Sequence, residues 1–269
     1  MRKALLATAV LFLTAGVAFA EIAARHGMDA AQYQQQFDQI VGQGFRPTHV
    51  DGYATPAGIR YAAIWLKSNS ARPWVARNGQ TTAQFQADFN KFTGQGFRLM
   101  DISATDGGIF SAIYEKGQGP EWYAFAGLNA AAFAKQFNEK TQAGFRALDV
   151  EGYVDGGQTQ FAVIWIKNAD GRGWFLYSDM DAAAYQQKFN EMAAQGFRPV
   201  HIDGYGTPAG ARFAAIFEKR PGAAVARHNM NAQAYQDEVN KQAANGFTLT
   251  DVSGYTDGNE VKYAAIWEK

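Results

Sequence analysis

The stretch Asp29-Ala-Ala-Gln-Tyr33-Gln-Gln-Gln-Phe37-Asp-Gln-Ile-Val-Gly-Gln-Gly44-Phe45-Arg-Pro-Thr-His49-Val-Asp51-Gly-Tyr53 contains a helix and the strand that follows it. Asp29 stands where an N-cap accepts the first free N–H groups, and Gln32 three residues on completes a capping box. Tyr33 and Phe37, four apart, lay one apolar stripe along the helix while Gln and Asp take the outer face. Gly44 supplies the left-handed residue that stops a helix. Beyond it, Phe45 to Tyr53 reads as a strand, and Tyr61 to Lys67 as a second strand joined to it by a hairpin.

The same unit recurs five times. Gly-Phe stands at Gly44, Gly96, Gly144, Gly196 and Gly246, with spacings of 52, 48, 52 and 50, in the range of a repeat array. The N-cap position reads Asp29, Thr81, Asn129, Asp181 and Asn231, and the last strand carries Ala-Ile-Trp or a close variant each time. A shorter extended segment, such as Trp74 to Arg77, precedes each helix, so the unit is strand–helix–strand–strand. The expected fold is α+β: five such repeats (about 22–70, 71–119, 120–171, 172–222 and 223–269) forming a curved or closed sheet with helices on the outer side. A lone unit buries too little apolar surface to stand, so the repeats are read as one domain over 21–269. Bare strand edges at the two ends of the array invite pairing. The first and fifth repeats are therefore expected to meet, or the edges to join in a dimer.

Composition narrows the functional classes. There are 25 Lys+Arg, 25 Asp+Glu, four His and no Cys in 269 residues. Balanced charge argues against a nucleic-acid partner, which needs clustered cations. The lack of Cys excludes disulfides, thiolate metal sites and Cys nucleophiles. Residues 1–20 read as a signal peptide: Arg2 and Lys3, an apolar run from Ala4 to Gly16, and a small-x-small site at Ala18-Phe19-Ala20. The expected product is secreted or periplasmic, has no membrane span after cleavage, and retains 23 of the 25 basic residues once Arg2 and Lys3 are gone.

The pattern Trp-x-Ala-Arg, an aromatic i, i+4 helix, Gly-Phe-Arg, Gly-Tyr and Ala-Ala-Ile-Trp resembles the bacterial tandem repeat domain. Such repeats occur in secreted proteins, including the region N-terminal to the serine-hydrolase domain of polyglycine hydrolases. The resemblance covers Ile22 to Lys269, with Ala104-Thr105 replacing Gly-Tyr in the second copy. It implies a non-catalytic α+β module, often attached to a serine hydrolase. No Ser here is followed three residues on by Lys, so that hydrolase's Ser-x-x-Lys nucleophile does not carry over.

Chemistry concentrates on the strand after each helix. Strict alternation puts Phe45, His49, Asp51 and Tyr53 on one face and Arg46, Thr48 and Val50 on the other. Through the repeats the two polar positions read His49, Asp101, Asp149, His201, Asp251 and Asp51, Ser103, Glu151, Asp203, Ser253. On the next strand, the small Ala62/Ile64 face with Val50 is read as the bed for the helix, which sends Tyr61 and Trp65 toward the polar row. His49, Asp51, Tyr53, Trp65, Asp149, Glu151, Tyr153, Trp165, His201, Asp203, Tyr205 and Trp267 are thus candidate ligand-binding residues, with no catalytic, cofactor or metal assignment. The ligand would be a glycan, another cell-envelope component such as a cell-wall peptide, or a secreted protein, since rings stack on sugars and carboxylates accept hydroxyl protons. The competing interpretation makes the rings core and the row a hydrogen-bonded rim. Two other classes stay open: a hydrolase with His49/Asp51 and His201/Asp203 as acid–base groups in a cleft, and an accessory or inhibitory partner of a separate serine hydrolase. His26 and His228 hold matching places before two helices, and Arg46, Arg98, Arg146 and Arg198 form a ladder suited to carboxylates.

Overall fold

The computed structural model of the protein describes residues 21–269; the expected leader, 1–20, lies outside the described residues. Each repeat is a three-stranded antiparallel sheet with one helix, in chain order outer strand, helix, inner strand, middle strand. In the first repeat these are Ile22–Met28, Ala30–Gly42, Phe45–Tyr53 and Arg60–Lys67. The four later inner strands are Phe97–Thr105, Phe145–Asp155, Arg198–Thr207 and Thr248–Asp257. The α+β repeat architecture is the one the sequence implies. Its strands form five separate sheets, and the five inner strands stand side by side around a common axis, the fifth against the first. The array closes on itself like the blades of a propeller.

Local chemistry sets each element. Asp29, Thr81, Asn129, Asp181 and Asn231 are all N-caps accepting from the third helical N–H, and the capping boxes at Asp29/Gln32 and Thr81/Gln84 are formed. Gly44, Gly96, Gly144, Gly196 and Gly246 follow the helices at φ of 76° to 85°, where a Cβ would be strained. Among the described residues, no helix is long and apolar enough to cross a membrane.

The helices are wedges. The Tyr33 ring meets Tyr61 at 5.1 Å and Trp65 at 6.2 Å on its own sheet, and Phe37 meets Trp74 of the next repeat at 5.9 Å. Each core cluster combines one repeat's helix and sheet with the far face of the following sheet: Tyr185, Ile202 and Phe213 pack with Tyr255, Ala264 and Ile266. The fifth cluster packs Tyr235 and Trp267 against Tyr53, Ala62 and Ile64 of the first. No repeat completes its own core, so the ring must close for the fifth helix to be covered.

This corrects the assignment of faces. The helix lies on the Tyr61/Ala63/Trp65 face, and Ala62/Ile64 turn to the preceding repeat. The inner strand carries a bulge between Pro47 and His49, which shifts alternation by one residue. Phe45 and Pro47 therefore join the helix side, opposite to His49 and Asp51. Large rings fill the space beneath each helix, while Ala and Gly let neighbouring sheets approach near the axis.

Candidate functional site

The bulge turns the second half of each inner strand so that both polar positions point to the axis. His49, Asp101, Asp149, His201 and Asp251 form one level; Asp51, Ser103, Glu151, Asp203 and Ser253 form the next. All ten are buried, none more than 7% exposed. The structure thus brings together His49, Asp51, Asp149, Glu151, His201 and Asp203 from the candidate set. Asp101, Ser103, Asp251 and Ser253, outside that set although the repeat alignment puts them in the row, complete the two levels.

These side chains are the rungs between sheets. At the first level, the N–H groups of Val50, Ile102 and Ile202 donate to Asp101, Asp149 and Asp251 at 3.0, 2.9 and 2.6 Å. Where the residue is His the polarity reverses: His201 Nε2 donates to the Val150 carbonyl at 2.9 Å, and His49 Nε2 to that of Val252 at 2.8 Å. At the second level the N–H groups of Gly52, Gly152, Gly204 and Gly254 donate to Ser103, Asp203, Ser253 and Asp51 at 2.6 to 2.9 Å. Ala104 donates to Glu151 at 3.4 Å. The longer acid matches the wider gap beside the only methyl in that series. Inner strands that share no backbone ladder are joined by side chains satisfying the backbone groups that face the axis.

Charge at the axis is unevenly distributed. A carbonyl only accepts, so His49 Nε2 carries hydrogen; its Nδ1 lies 2.7 Å from Asp101 Oδ1 and 3.3 Å separates Nε2 from Asp251 Oδ1. Burial alone would depress the His49 pKa, but Asp101 and Asp251 outweigh it and hold it well above the ordinary value. His201 behaves alike: burial is opposed by Asp251 and Asp149, and its pKa reaches about 10. Asp251 lies between the two rings, 3.3 Å from each. Burial would raise its pKa, yet His201 and His49 bring it below the usual carboxylate value. The second level has no such cation. Burial raises Asp51 to about 7 against the Gly254 N–H and His49. Burial followed by Asp203 and Asp149 pushes Glu151 well up, and burial followed by Asp51 does the same to Asp203. Asp149, raised by burial and lowered by His201, reaches about 6.

The remaining candidates serve the core. Trp65, Trp165 and Trp267 are at most 1% exposed beneath their helices and offer no face to a sugar. Tyr53, Tyr153 and Tyr205 are buried in the preceding repeat's core. A Cβ on Gly152 would lie 2.3 Å from Tyr205, and one on Gly254 2.4 Å from Tyr53, which explains the Gly-Tyr pairing. Gly52 faces Thr105 instead, where the second repeat departs from it. His26 packs edge-on against Tyr235 and Tyr263, and His228 against Tyr185 and Phe213. Each thus seals its own seam, and burial lowers both pKa values, that of His26 to about 4.

The His and carboxylates do converge as acid–base catalysis requires, but all ten are buried. The axial depression over Asp51 and Asp203 measures about 20 Å³, room for one water-sized body. Larger openings lie elsewhere. A groove of about 550 Å³ runs between the second and third repeats, lined by Phe89, Phe97, Arg98, Trp122, Tyr123 and Phe125 among others.

That seam lacks an ion pair that the first and third seams have. At the first seam Glu115 binds Arg46 at 2.6 Å and the linker Arg72 at 3.1 Å; at the third, Glu218 binds Arg146, and Arg172 at 2.7 Å. At the second seam the acid's position is Ile166, paired to Trp122 as Glu115 is to Trp74, and the linker Lys116 to Pro120 has no Arg. Arg98 has no ion pair among the described residues. Its guanidinium lies 5.7 Å from the Trp122 ring, and burial lowers its pKa.

The profile of the polyglycine hydrolase-like structural repeat matches residues 20–68, 71–117, 119–168, 171–220 and 221–269. With all five units accounted for, the chain belongs to the polyglycine hydrolase-like structural repeat family.

Proposed function

We propose that the chain is an exported, non-catalytic binding module that takes a carboxylate-bearing glycan in the groove between its second and third repeats. The observation that carries this reading is Arg98: a half-buried cation without a counterion, beside Trp122 and Tyr123, where two sister seams supply a Glu. A guanidinium fork suits a carboxylate, and aromatic faces suit a pyranose ring. Tyr123 is 38% exposed. The expected leader at residues 1–20 supports export. The closed, hydrogen-bonded axis supports a module without catalysis.

The test is retention of residues 21–269 on polygalacturonate and peptidoglycan, with cellulose and chitin as neutral polymers. Salt-sensitive retention on a carboxylate polymer, lost in Arg98→Gln and in Ile166→Glu, is expected. Ile166→Glu keeps Arg98 but neutralises it as the sister seams do. Retention unchanged in both variants would overturn the reading, and retention on nothing would favour a protein partner such as a co-secreted hydrolase.

A further inference from the structure

We propose that the seam between the third and fourth repeats binds a small aromatic amine, its ring edge-on to Phe133 and Phe161 and its ammonium against Asp179. An opening of about 340 Å³ stands there, walled by Phe133, Phe137, Phe161 and Leu176, within the size range of small-ligand sites. It shares no lining residue with the groove at Arg98.

Two sister seams show what this space accepts. In the third, fourth and fifth repeats the first helix aromatic stacks on a ring of the middle strand: Phe133 on Phe161 at 4.6 Å, Tyr185 on Phe213 at 5.4 Å, Tyr235 on Tyr263 at 5.1 Å. His228 of the fifth repeat stands edge-on to the Tyr185/Phe213 pair, at 5.0 and 5.5 Å, and His26 of the first to the Tyr235/Tyr263 pair, at 4.8 and 5.2 Å. Ser178 holds the place of His228: each stands two residues before a Met, Met180 or Met230, that pairs with its own repeat's middle-strand aromatic. The Phe133/Phe161 pair thus meets a hydroxymethyl group where its sisters meet an imidazole, and the edge-on place that aromatic rings favour is open.

A second shortening widens the same opening. In four helices Gln follows the first aromatic and its amide donates to Asp or Asn four residues on: Gln34 to Asp38, Gln86 to Asn90, Gln186 to Asn190 and Gln236 to Asn240, at 2.8 to 3.1 Å. The third helix, Ala130–Gln142, has Ala134 in that place, and both Ala134 and Asn138 line the opening. At the second seam, where Ala126 replaces the His, Gln86 is kept, so the two shortenings coincide at this seam alone. Charge then selects among rings. The next position along the strand is Gly27, Gly79, Gly127 and Asn229 elsewhere and Asp179 here, a carboxylate on the lining with its side chain 68% exposed. Arg212 Nε approaches its Oδ1 at 3.5 Å, which leaves Oδ2 for an ammonium.

The experiment titrates residues 21–269 by calorimetry with phenethylamine and histamine, and with phenylacetate as the anionic counterpart, alongside thermal melts. One equivalent of either amine should bind, at least about tenfold more tightly than phenylacetate. Ser178→His supplies the sister seams' ring: Tm should not fall, and affinity for both amines should drop at least about tenfold. Asp179→Asn copies Asn229, which holds the same backbone conformation at φ 57° against 56°, so it should fold as the parent does and lose the preference for amine over acid. No binding of either amine would overturn the proposal. So would a lowered Tm in Ser178→His, which means that the slot does not accept a ring, or amine affinity undiminished in that variant, which places the amine elsewhere. An amine preference unchanged in Asp179→Asn would overturn it equally.

Discussion

Gly254→Ala tests whether ring closure depends on the fit of Gly against Tyr. The added Cβ would lie 2.4 Å from the Tyr53 ring, about 1 Å or more inside the ordinary 3.5–4.0 Å carbon contact. Tyr53 cannot withdraw freely, since its hydroxyl bonds that of Tyr263 at 2.8 Å and its ring packs edge-on to Tyr263 at 5.8 Å. Separating the fifth and first sheets instead stretches the 2.6 Å bond from the Gly254 N–H to Asp51. Overpacking costs about 1–3 kcal/mol, and weakening the hydrogen bonds adds about 1 kcal/mol, so roughly 3 kcal/mol is expected. In a chain of this length that lowers Tm by about 6–12 °C. Gly52→Ala is the internal comparison: its Cβ meets Thr105 Oγ1 at 2.9 Å and Tyr61 at 3.3 Å, a milder clash with a smaller group. Urea denaturation should rank parent above Gly52→Ala above Gly254→Ala, and Tyr53→Thr should recover part of the loss when combined with Gly254→Ala. A loss below about 1 kcal/mol at Gly254, or no recovery in the double variant, would refute the account of the seam.

Trp65→Ala should lower stability by about 3–5 kcal/mol, because Trp65 is fully buried against Tyr33, and should leave polymer retention per folded molecule unchanged; lost retention in the folded fraction would return Trp65 to the ligand surface. Ile166→Glu should change stability by no more than about 1 kcal/mol, and upward, by pairing with a partly exposed Arg98, as a thermal melt at low and high salt will show. Stability should fall as pH rises. The folded chain keeps protons on Asp149 and Asp51 to about 6 and 7, whereas the unfolded chain releases them near the ordinary 3.8, so the contribution is full below that value and lost through pH 6–7. His201, raised from 6.5 to about 10, adds a second fall over that interval; a urea midpoint that climbs from pH 4 to pH 10 would contradict the sign.

Much of this architecture was legible along the chain, because its determinants act within one repeat. Asp29 with Gln32 starts a helix and Gly44 stops it through contacts a few residues long, and the five copies of that syntax count the units. Repetition also revealed the His/Asp row. The facing of side chains was not legible, since one bulge at Pro47/His49 reverses the parity on which alternation rests. Trp65, Trp165 and Trp267 fall on a supposed binding face for a different reason: the sequence reads the small Ala62/Ile64 face as the helix bed, whereas the large rings fill the space beneath the helix and the small residues meet the neighbouring repeat.

The sequence alone therefore determined the repeat unit, its caps and its turns, whose free energies are local. Only the tertiary structure decided that His49 bonds the Val252 carbonyl 203 positions away, that acids from all five repeats share one buried axis, and that Arg98 lacks its Glu. Those outcomes depend on the rotation between successive sheets summing to a closed ring. Each repeat contributes one edge to that ring, and the contacts that decide the site exist only once five of them meet.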